Sequence, residues 1–225
     1  MNTNNTITFF GPPGTGKTFR LIQCVELQME KNVLPRKISY LAFTKKAATE
    51  SINRIQEIFH VPRSNFPYFR TIHSFAFRQL SVQREQVIGP KQLQEFGNEY
   101  GVEMSGYYDV QEDEFESRYQ GYRKGDRIMF IDGLSRITGR EIENIMSELE
   151  LDMELGSIEI RAVAEAYQKW KTVHGLIDYT DMLEQFVERG TVPELDIVIV
   201  DEAQDLSPLQ WKVIEKITEN VKLVY

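Results

Sequence analysis

The stretch that most constrains the fold is the octapeptide GPPGTGKT, which runs from Gly11 to Thr18. It fits the pattern G-x-x-x-x-G-K-[ST] and lies between an apolar segment, TITFF (6–10), and a segment with helical periodicity (18–31). Glycines let such a loop curl so that its N–H groups point at phosphate oxygens, and the helix that follows adds its positive end. The sequence therefore predicts a phosphate-binding loop rather than a glycine-rich turn without a ligand.

The last two positions of the loop have predicted roles of their own. Lys17 is expected to reach the β- and γ-phosphates of a nucleotide as a point charge, and Thr18 to offer its hydroxyl to Mg²⁺. The loop residues predicted to bind the nucleotide are Gly11, Pro12, Pro13, Gly14, Thr15, Gly16, Lys17 and Thr18.

A second motif, DIVIVDEAQD (196–205), supplies carboxylates that such a loop needs. Asp201 and Glu202 directly follow an apolar strand, so they are expected at its carboxyl end, where ligands bind in open parallel sheets. We predict that Asp201 holds Mg²⁺ and that Glu202 acts as the general base for an attacking water. Acids at a strand end are common without a function, but the complete phosphate loop favours the functional interpretation.

The order of predicted elements indicates an α/β fold with an insertion. Strands at 6–10, 37–43 and 68–72 alternate with helices at 18–31 and 45–59, which predicts parallel strands joined by crossovers. Residues 81–175 read as a mostly helical subdomain. The α/β pattern then resumes with a helix at 179–190, a strand at 196–200, a helix at 208–220 and a strand at 221–225. We therefore predict one α/β domain from residues 1–80 and 176–225.

Charge is distributed unevenly along this chain of net charge −8. Residues 1–80 carry 11 Lys+Arg against 4 Asp+Glu, which favours a local site for a phosphate backbone. The acidic insertion is either a solvated face or a surface for a partner protein. The single cysteine, Cys24, rules out an internal disulfide, and no apolar run is long enough for a membrane span. We expect a cytoplasmic protein.

Four further stretches carry a family resemblance. They are AFTKKAA (42–48), TIHSF (71–75), IDYTDML (177–183) and DEAQD (201–205). In this order the sequence resembles the UvrD/Rep/PcrA-like superfamily 1 DNA helicases. The matched motifs cover the first RecA-like domain from end to end, and the inserted subdomain has no motif match. The resemblance implies a RecA-like P-loop NTPase domain, a parallel sheet flanked by helices, with an inserted helical subdomain of the 1B type.

The resemblance also implies an activity and its ligands. ATP hydrolysis with Mg²⁺ is expected to drive translocation along single-stranded DNA and unwinding at duplex junctions. Lys17, Glu202 and Gln204 are the implied catalytic residues, with Gln204 sensing the γ-phosphate. Phe43 is expected to stack on a base, although an aromatic residue at a strand end is often a core residue. The other implied DNA-binding residues are Thr44, Lys45, Thr71, His73 and Ser74.

The sequence departs from the family pattern in ways that leave alternatives open. No glutamine precedes Gly11, and Phe19 stands where the family often has arginine, with Arg20 one place later; both are kept as predicted nucleotide-binding residues. The ending VKLVY stops before a second RecA-like domain, so we expect the N-terminal portion of a longer helicase. The alternatives are a self-contained P-loop ATPase or nucleotide switch, such as a loader or kinase, and a non-catalytic protein-interaction module.

Overall fold

The chain divides into two compact units. The computed structural model describes residues 6–12, 14–106, 123–148 and 155–225. The first unit comprises residues 1–81 and 185–225, and the second unit comprises residues 82–184. The first unit contains the sheet and the phosphate loop. The described part of the second unit is helical, apart from an isolated parallel bridge between Val87 and Ile177.

Four strands form one parallel sheet in the first unit. They are β1 (Ile38–Ala42), β2 (Phe69–Thr71), β3 (Ile197–Val200) and β4 (Leu223–Val224). Their spatial order is β2-β1-β3-β4, and Tyr40 of β1 lies opposite Phe69 on one side and Ile199 on the other. β1 and β3 are buried along their whole lengths, as expected for central strands with continuous apolar sequences. The predicted α/β fold with a parallel sheet is confirmed.

The described residues also form nine α-helices. These are α1 (Lys17–Glu30), α2 (Lys45–Phe59), α3 (Ile72–Gln79), α4 (Pro90–Tyr100), α5 (Lys124–Thr138), α6 (Ile142–Glu148), α7 (Ser157–His174), α8 (Tyr179–Arg189) and α9 (Pro208–Thr218). In α1, the buried side chains of Leu21, Ile22 and Val25 recur at helical spacing and pack in one core with β1 and β3. Among the described residues, no helix combines the length and apolar character needed to cross a membrane.

The buried strand predicted at 6–10 is wrong in this structure. Thr6 makes a single parallel bridge with Val224, whose carbonyl oxygen also accepts the N–H of Ile7 at 2.9 Å. The side chain of Phe10, at the end of the segment, is 92% exposed. The physical reason is that strand formation depends on a partner as well as on apolar residues. The neighbouring β4 has two residues, so the segment finds one ladder position with which to pair.

The second unit has its own core. Helices α4, α5, α6 and α7 contribute buried side chains to one cluster, which includes Phe96, Ile128, Ile145, Tyr167 and Trp170. The aromatic rings pack in contact, with the centroids of Phe96 and Tyr167 5.1 Å apart in an edge-to-face arrangement. The helical periodicity predicted within 81–175 therefore corresponds to packed helices.

An ion network is buried in the same unit. The ammonium of Lys171, which is 2% exposed, lies 2.5 Å from a carboxylate oxygen of Asp178 and 2.5 Å from one of Asp181. The guanidinium of Arg136 binds the same two carboxylates, at 3.2 and 2.5 Å, together with Glu184 at 2.6 Å. Asp178 and Asp181 belong to the IDYTDML stretch, so this motif fixes charges inside the second unit.

Candidate functional site

The phosphate loop curls around the lysine that ends it. Gly14 and Gly16 have φ angles of +80° and +83°, which L side chains rarely adopt, and Gly16 caps α1, which begins at Lys17. The ammonium of Lys17 donates to the carbonyl oxygen of Gly11 at 3.0 Å, and the hydroxyl of Thr15 donates to that of Pro12 at 2.8 Å. The loop thus directs its one cation inward and leaves the backbone around Gly14 open, because nothing lies within 4 Å of a Cβ built there.

The remaining predicted nucleotide-binding residues flank this loop. Phe19 on the first turn of α1 is 56% exposed, and the guanidinium of Arg20 donates to the side-chain oxygen of Gln23 at 2.9 Å. Both side chains are therefore available at the surface of α1. Pro13 lies outside the described residues.

Asp201 is held at the end of β3 by three kinds of contact. Its N–H donates to the carbonyl of Leu41 in β1 at 2.9 Å, and its side chain is buried, with 2% exposed. The hydroxyl of Tyr40 donates to its carboxylate at 2.7 Å, and the hydroxyl of Thr18 lies 3.4 Å from both carboxylate oxygens. Burial raises the pKa of Asp201 above its ordinary value, and the hydrogen bond from Tyr40 opposes that rise.

Glu202, the next residue, has a different environment. Its backbone is in the left-handed region, with φ of 53°, and its side chain is partly exposed. The side-chain amide of Gln204 donates to its carboxylate at 2.5 Å and to that of Asp205 at 3.3 Å. Non-glycine residues with this φ are uncommon overall, and those that occur are found disproportionately at functional sites. The turn therefore directs two adjacent carboxylates differently, one inward and one toward solvent.

A cavity of about 510 Å³ in the first unit brings four predicted residues together. Lys17, Asp201, Glu202 and Gln204 all line it. Its apolar wall comes from the segment before the phosphate loop and from α9 and β4, through residues that include Phe9, Phe10, Trp211, Ile214 and Tyr225. The polar groups predicted from two motifs about 185 residues apart thus share one concave surface, which is the usual form of a small-molecule site.

The donor set at this site fits Mg²⁺ better than a transition metal. Thr18 and Asp201 place a hydroxyl and carboxylate oxygens side by side, and oxygen ligands suit this hard cation. Among the described residues, no group of three or more His, Cys, Asp or Glu is arranged to hold a metal. Mg²⁺ usually retains several waters and takes one or two carboxylates together with substrate phosphates, so the sparse set is the one expected for it.

The predicted DNA-binding residues lie at the carboxyl ends of β1 and β2. Ala42 is opposite Thr71 in the sheet register, so Phe43, which follows β1, is near the start of α3. Thr44 caps α2 by accepting the N–H of Ala47 at 3.1 Å, and Thr71 caps α3 by accepting the N–H of Ser74 at 3.2 Å. Two helix amino termini therefore open at the ends of adjacent strands.

The exposure of the same set differs from residue to residue. Phe43 is partly buried, and Lys45, on the first turn of α2, is exposed. His73 and Ser74, on the first turn of α3, are both partly buried, and the hydroxyl of Ser74 accepts a hydrogen bond from Arg70 at 3.1 Å. Thr71, His73 and Ser74 thus each expose part of their surface, Ile72 between them is buried, and the helix cap fixes the backbone of the segment.

Tyr40 is a site residue that sequence reasoning missed. It is fully buried in β1, and its hydroxyl is the closest donor to Asp201. A signal was present, because a tyrosine within an otherwise aliphatic buried strand needs a hydrogen-bond partner. The identity of that partner depends on the pairing of β1 with β3, 161 residues away in sequence, which local patterns do not specify.

Comparisons with known proteins bear on the whole chain. A model of the UvrD/REP helicase N-terminal domain family matches residues 1–224. A search among curated proteins finds no significant match. The family match confirms the resemblance drawn from the motifs and the RecA-like α/β interpretation of the fold.

Proposed function

The chain belongs to the UvrD/REP helicase N-terminal domain family, and from that premise we propose that it is the ATP-binding motor domain of a superfamily 1 DNA helicase. Its role would be to couple ATP hydrolysis to translocation on single-stranded DNA and to unwinding at duplex junctions. The observation that carries the proposal is the cavity lined jointly by Lys17, Asp201, Glu202 and Gln204. That set contains a cation for phosphates, an inward carboxylate, a carboxylate open to solvent and an amide that contacts it.

We assign nucleotide binding to the phosphate loop and the start of α1. The open backbone around Gly14 and Gly16 suits phosphate oxygens that approach closely, and the amino terminus of α1 favours negative charge there. Lys17 would exchange its contact with the Gly11 carbonyl for the β- and γ-phosphates. Thr18 and Asp201 would hold Mg²⁺, which when bound neutralises charge on the phosphate oxygens.

We assign the proton transfer of ATP hydrolysis to Glu202. Its carboxylate would accept a proton from water as the water oxygen bonds to the γ-phosphorus and the bond to the β-phosphate oxygen breaks. Gln204 is the orienting group, because its amide already contacts this carboxylate. From the same position Gln204 would respond to the γ-phosphate and transmit its loss.

We assign single-stranded DNA to the carboxyl ends of β1 and β2. The amino termini of α2 and α3 supply N–H groups and positive ends for backbone phosphates, and Lys45 adds a charge. Phe43 offers an aromatic face for stacking, which contributes about 1–3 kcal/mol per base and does not depend on base identity. Thr71, His73 and Ser74 would line the same strand.

Other expectations from the sequence stay predictions. Residues 107–116 of the acidic insertion, proposed as a partner-protein surface, lie outside the described residues, as does Pro13. The domain division at residues 80 and 176 and the cytoplasmic location are likewise kept as proposals. A non-catalytic interaction module is less well supported, because Lys17, Thr18, Asp201 and Glu202 are all present and arranged together.

The test is a titration of the chain with a fluorescent ATP analogue in the presence of Mg²⁺. Lys17→Ala is expected to weaken binding about 10- to 100-fold, since a hydrogen bond to a charged group contributes about 1.5–3 kcal/mol. Lys31→Ala is the matched control, because Lys31 is an exposed lysine just after the end of α1. Equal affinities of the two variants would contradict the nucleotide assignment. Turnover of ATP with and without single-stranded DNA tests the coupling.

A further inference from the structure

A stretch of the first unit carries positive charges and no acidic residue. Residues 58–81 contain three arginines and two histidines and no Asp or Glu, in a chain with 34 acidic residues among 225. The arginines are Arg63, Arg70 and Arg78. Arg63 belongs to a short 3-10 turn (Arg63–Asn65), Arg70 to β2 and Arg78 to the last turn of α3. β2 is an edge strand of the sheet, so one of its sides is not covered by another strand.

Two hydrogen bonds fix the guanidinium of Arg70 between these elements. Its Nε donates to the carbonyl oxygen of Pro67 at 2.6 Å, and a terminal nitrogen donates to the hydroxyl of Ser74 at 3.1 Å. Arg78 follows Ser74 by four residues in α3, so the two lie on one face of the helix. A guanidinium has five N–H donors, and these contacts use two of those of Arg70. The structure shows no hydrogen bond from the other three to a described residue.

Among the described residues, these three arginines have no acidic partner. In the described part of the chain, no carboxylate lies within ion-pair distance of any of the three. Burial and the positive charges of Arg78 and Arg63 lower the pKa of Arg70. Exposed cations elsewhere do find partners, as Lys124 does with Glu159 at 2.6 Å. Like charges gathered without compensation repel one another, and an external anion relieves the repulsion.

We propose that Arg63, Arg70 and Arg78 form a phosphate-binding cluster for the backbone of a nucleic-acid strand. The proposal rests on the DNA assignment above, because Arg70 contacts Ser74 of the segment already assigned to DNA. It extends that assignment from the ends of β1 and β2 outward along the sheet edge. Arginine suits the role, since its fork of donors binds phosphate oxygens in a bidentate manner and keeps its charge at every physiological pH. Contacts of this kind position a strand without reading its sequence.

The experiment compares two double variants of the 225-residue chain that remove equal charge. Arg63→Gln with Arg78→Gln removes the two exposed members, whose side chains make no hydrogen bond within the described residues. The matched control is Lys31→Gln with Arg36→Gln, two exposed cations next to α1 and just before β1. Binding of a fluorescent oligothymidylate is measured by anisotropy over a range of salt concentrations, and urea unfolding verifies that both variants fold.

We expect the cluster variant to bind the oligonucleotide more weakly than the wild type and with a smaller dependence on salt. Each phosphate contact on single strands contributes about 0.7 to the slope of log K against log salt. The cluster variant should therefore lose about 1.4 from the slope, which corresponds to about 25-fold weaker binding at ~0.1 M salt relative to ~1 M. The control variant should keep the wild-type slope.

Two results would overturn the proposal, and they are distinguishable. If Phe43→Ala weakens binding while the cluster variant matches the control in affinity and slope, the DNA assignment is supported and the proposal that the three arginines bind phosphate is refuted. If the wild-type chain binds no oligonucleotide even at low salt, both the DNA assignment and the proposal about the three arginines are refuted.

Discussion

Because Tyr40 donates a hydrogen bond to the carboxylate of Asp201, we predict that removing its hydroxyl lowers stability by an amount that depends on pH. Tyr40→Phe removes the hydroxyl that lies 2.7 Å from the carboxylate and leaves the ring in place. A hydrogen bond to a charged group contributes about 1.5–3 kcal/mol, against about 0.5–1.5 for a neutral pair. The variant is therefore expected to lose about 1.5–3 kcal/mol of the free energy of unfolding where Asp201 is ionised.

The loss should shrink toward acid. Burial raises the pKa of Asp201 above its ordinary value of 3.8, so the folded state favours the protonated carboxyl, and ionisation destabilises it as pH rises through that raised pKa. Tyr40 offsets part of this destabilisation, and its hydroxyl matters less once the carboxyl is protonated. The difference between wild type and Tyr40→Phe should fall toward about 0.5–1.5 kcal/mol as pH is lowered from about 8 through the raised pKa of Asp201.

Urea unfolding of both proteins across that pH range measures the effect. Tyr225→Phe is the control, because the hydroxyl of Tyr225 accepts from the neutral amide of Gln28 at 2.8 Å and its loss should cost the same at each pH. A pH-independent difference for Tyr40→Phe, equal to that of the control, would refute the argument that the hydroxyl stabilises an ionised Asp201.

Three further predictions concern the second unit and are tested by urea unfolding. Burial raises the pKa of Asp132 from 3.8 to about 6, so its ionisation removes up to about 3 kcal/mol of the free energy of unfolding as pH rises from about 4 to about 6. Asp132→Asn should therefore gain stability relative to the wild type over that pH range, with little further change above about pH 7; a difference that does not vary with pH would contradict this. Lys171→Met leaves the buried carboxylate of Asp178 without its closest cation and should lower the free energy of unfolding by about 3–5 kcal/mol. An unchanged free energy of unfolding would mean that water reaches the ion network. Gly97→Ala would bring a Cβ to 2.5 Å from the carbonyl oxygen of Val102 and should cost about 1–3 kcal/mol despite better helix propensity; a stabilised variant would show that α4 shifts freely.

Local features of the chain were predictable from sequence because their causes are local. The helix predicted at 45–59 coincides with α2 (Lys45–Phe59), whose buried residues recur at helical spacing behind a capping threonine. The phosphate loop required two residues of positive φ, and glycine supplies both. The strand expected at 6–10 failed because its pairing depends on β4, which is distant in sequence and short.

Contacts between distant residues were not predictable in the same way. Tyr40 reaches Asp201 across the β1–β3 pair, and no pattern within either segment specifies that register. Arg70 was not singled out from the sequence, because a single arginine in a strand is common. The lack of acidic residues over 58–81 can be read from the sequence, but the proximity of Arg63 and Arg78 to Arg70 comes from the fold.

One turn places the adjacent carboxylates of Asp201 and Glu202 in environments that suit the two different roles proposed for them. Asp201 points into the protein, where Tyr40 and Thr18 limit its movement, and a fixed oxygen is what a metal ligand requires. Glu202 takes a left-handed backbone conformation that turns its side chain toward the cavity, and a base that exchanges protons with water must be accessible. If the turn relaxed to an extended conformation, successive side chains would alternate by the strand period and Glu202 would face away from Asp201. The left-handed φ at Glu202 is therefore the feature that would allow both carboxylates to act on one ligand in the proposed mechanism.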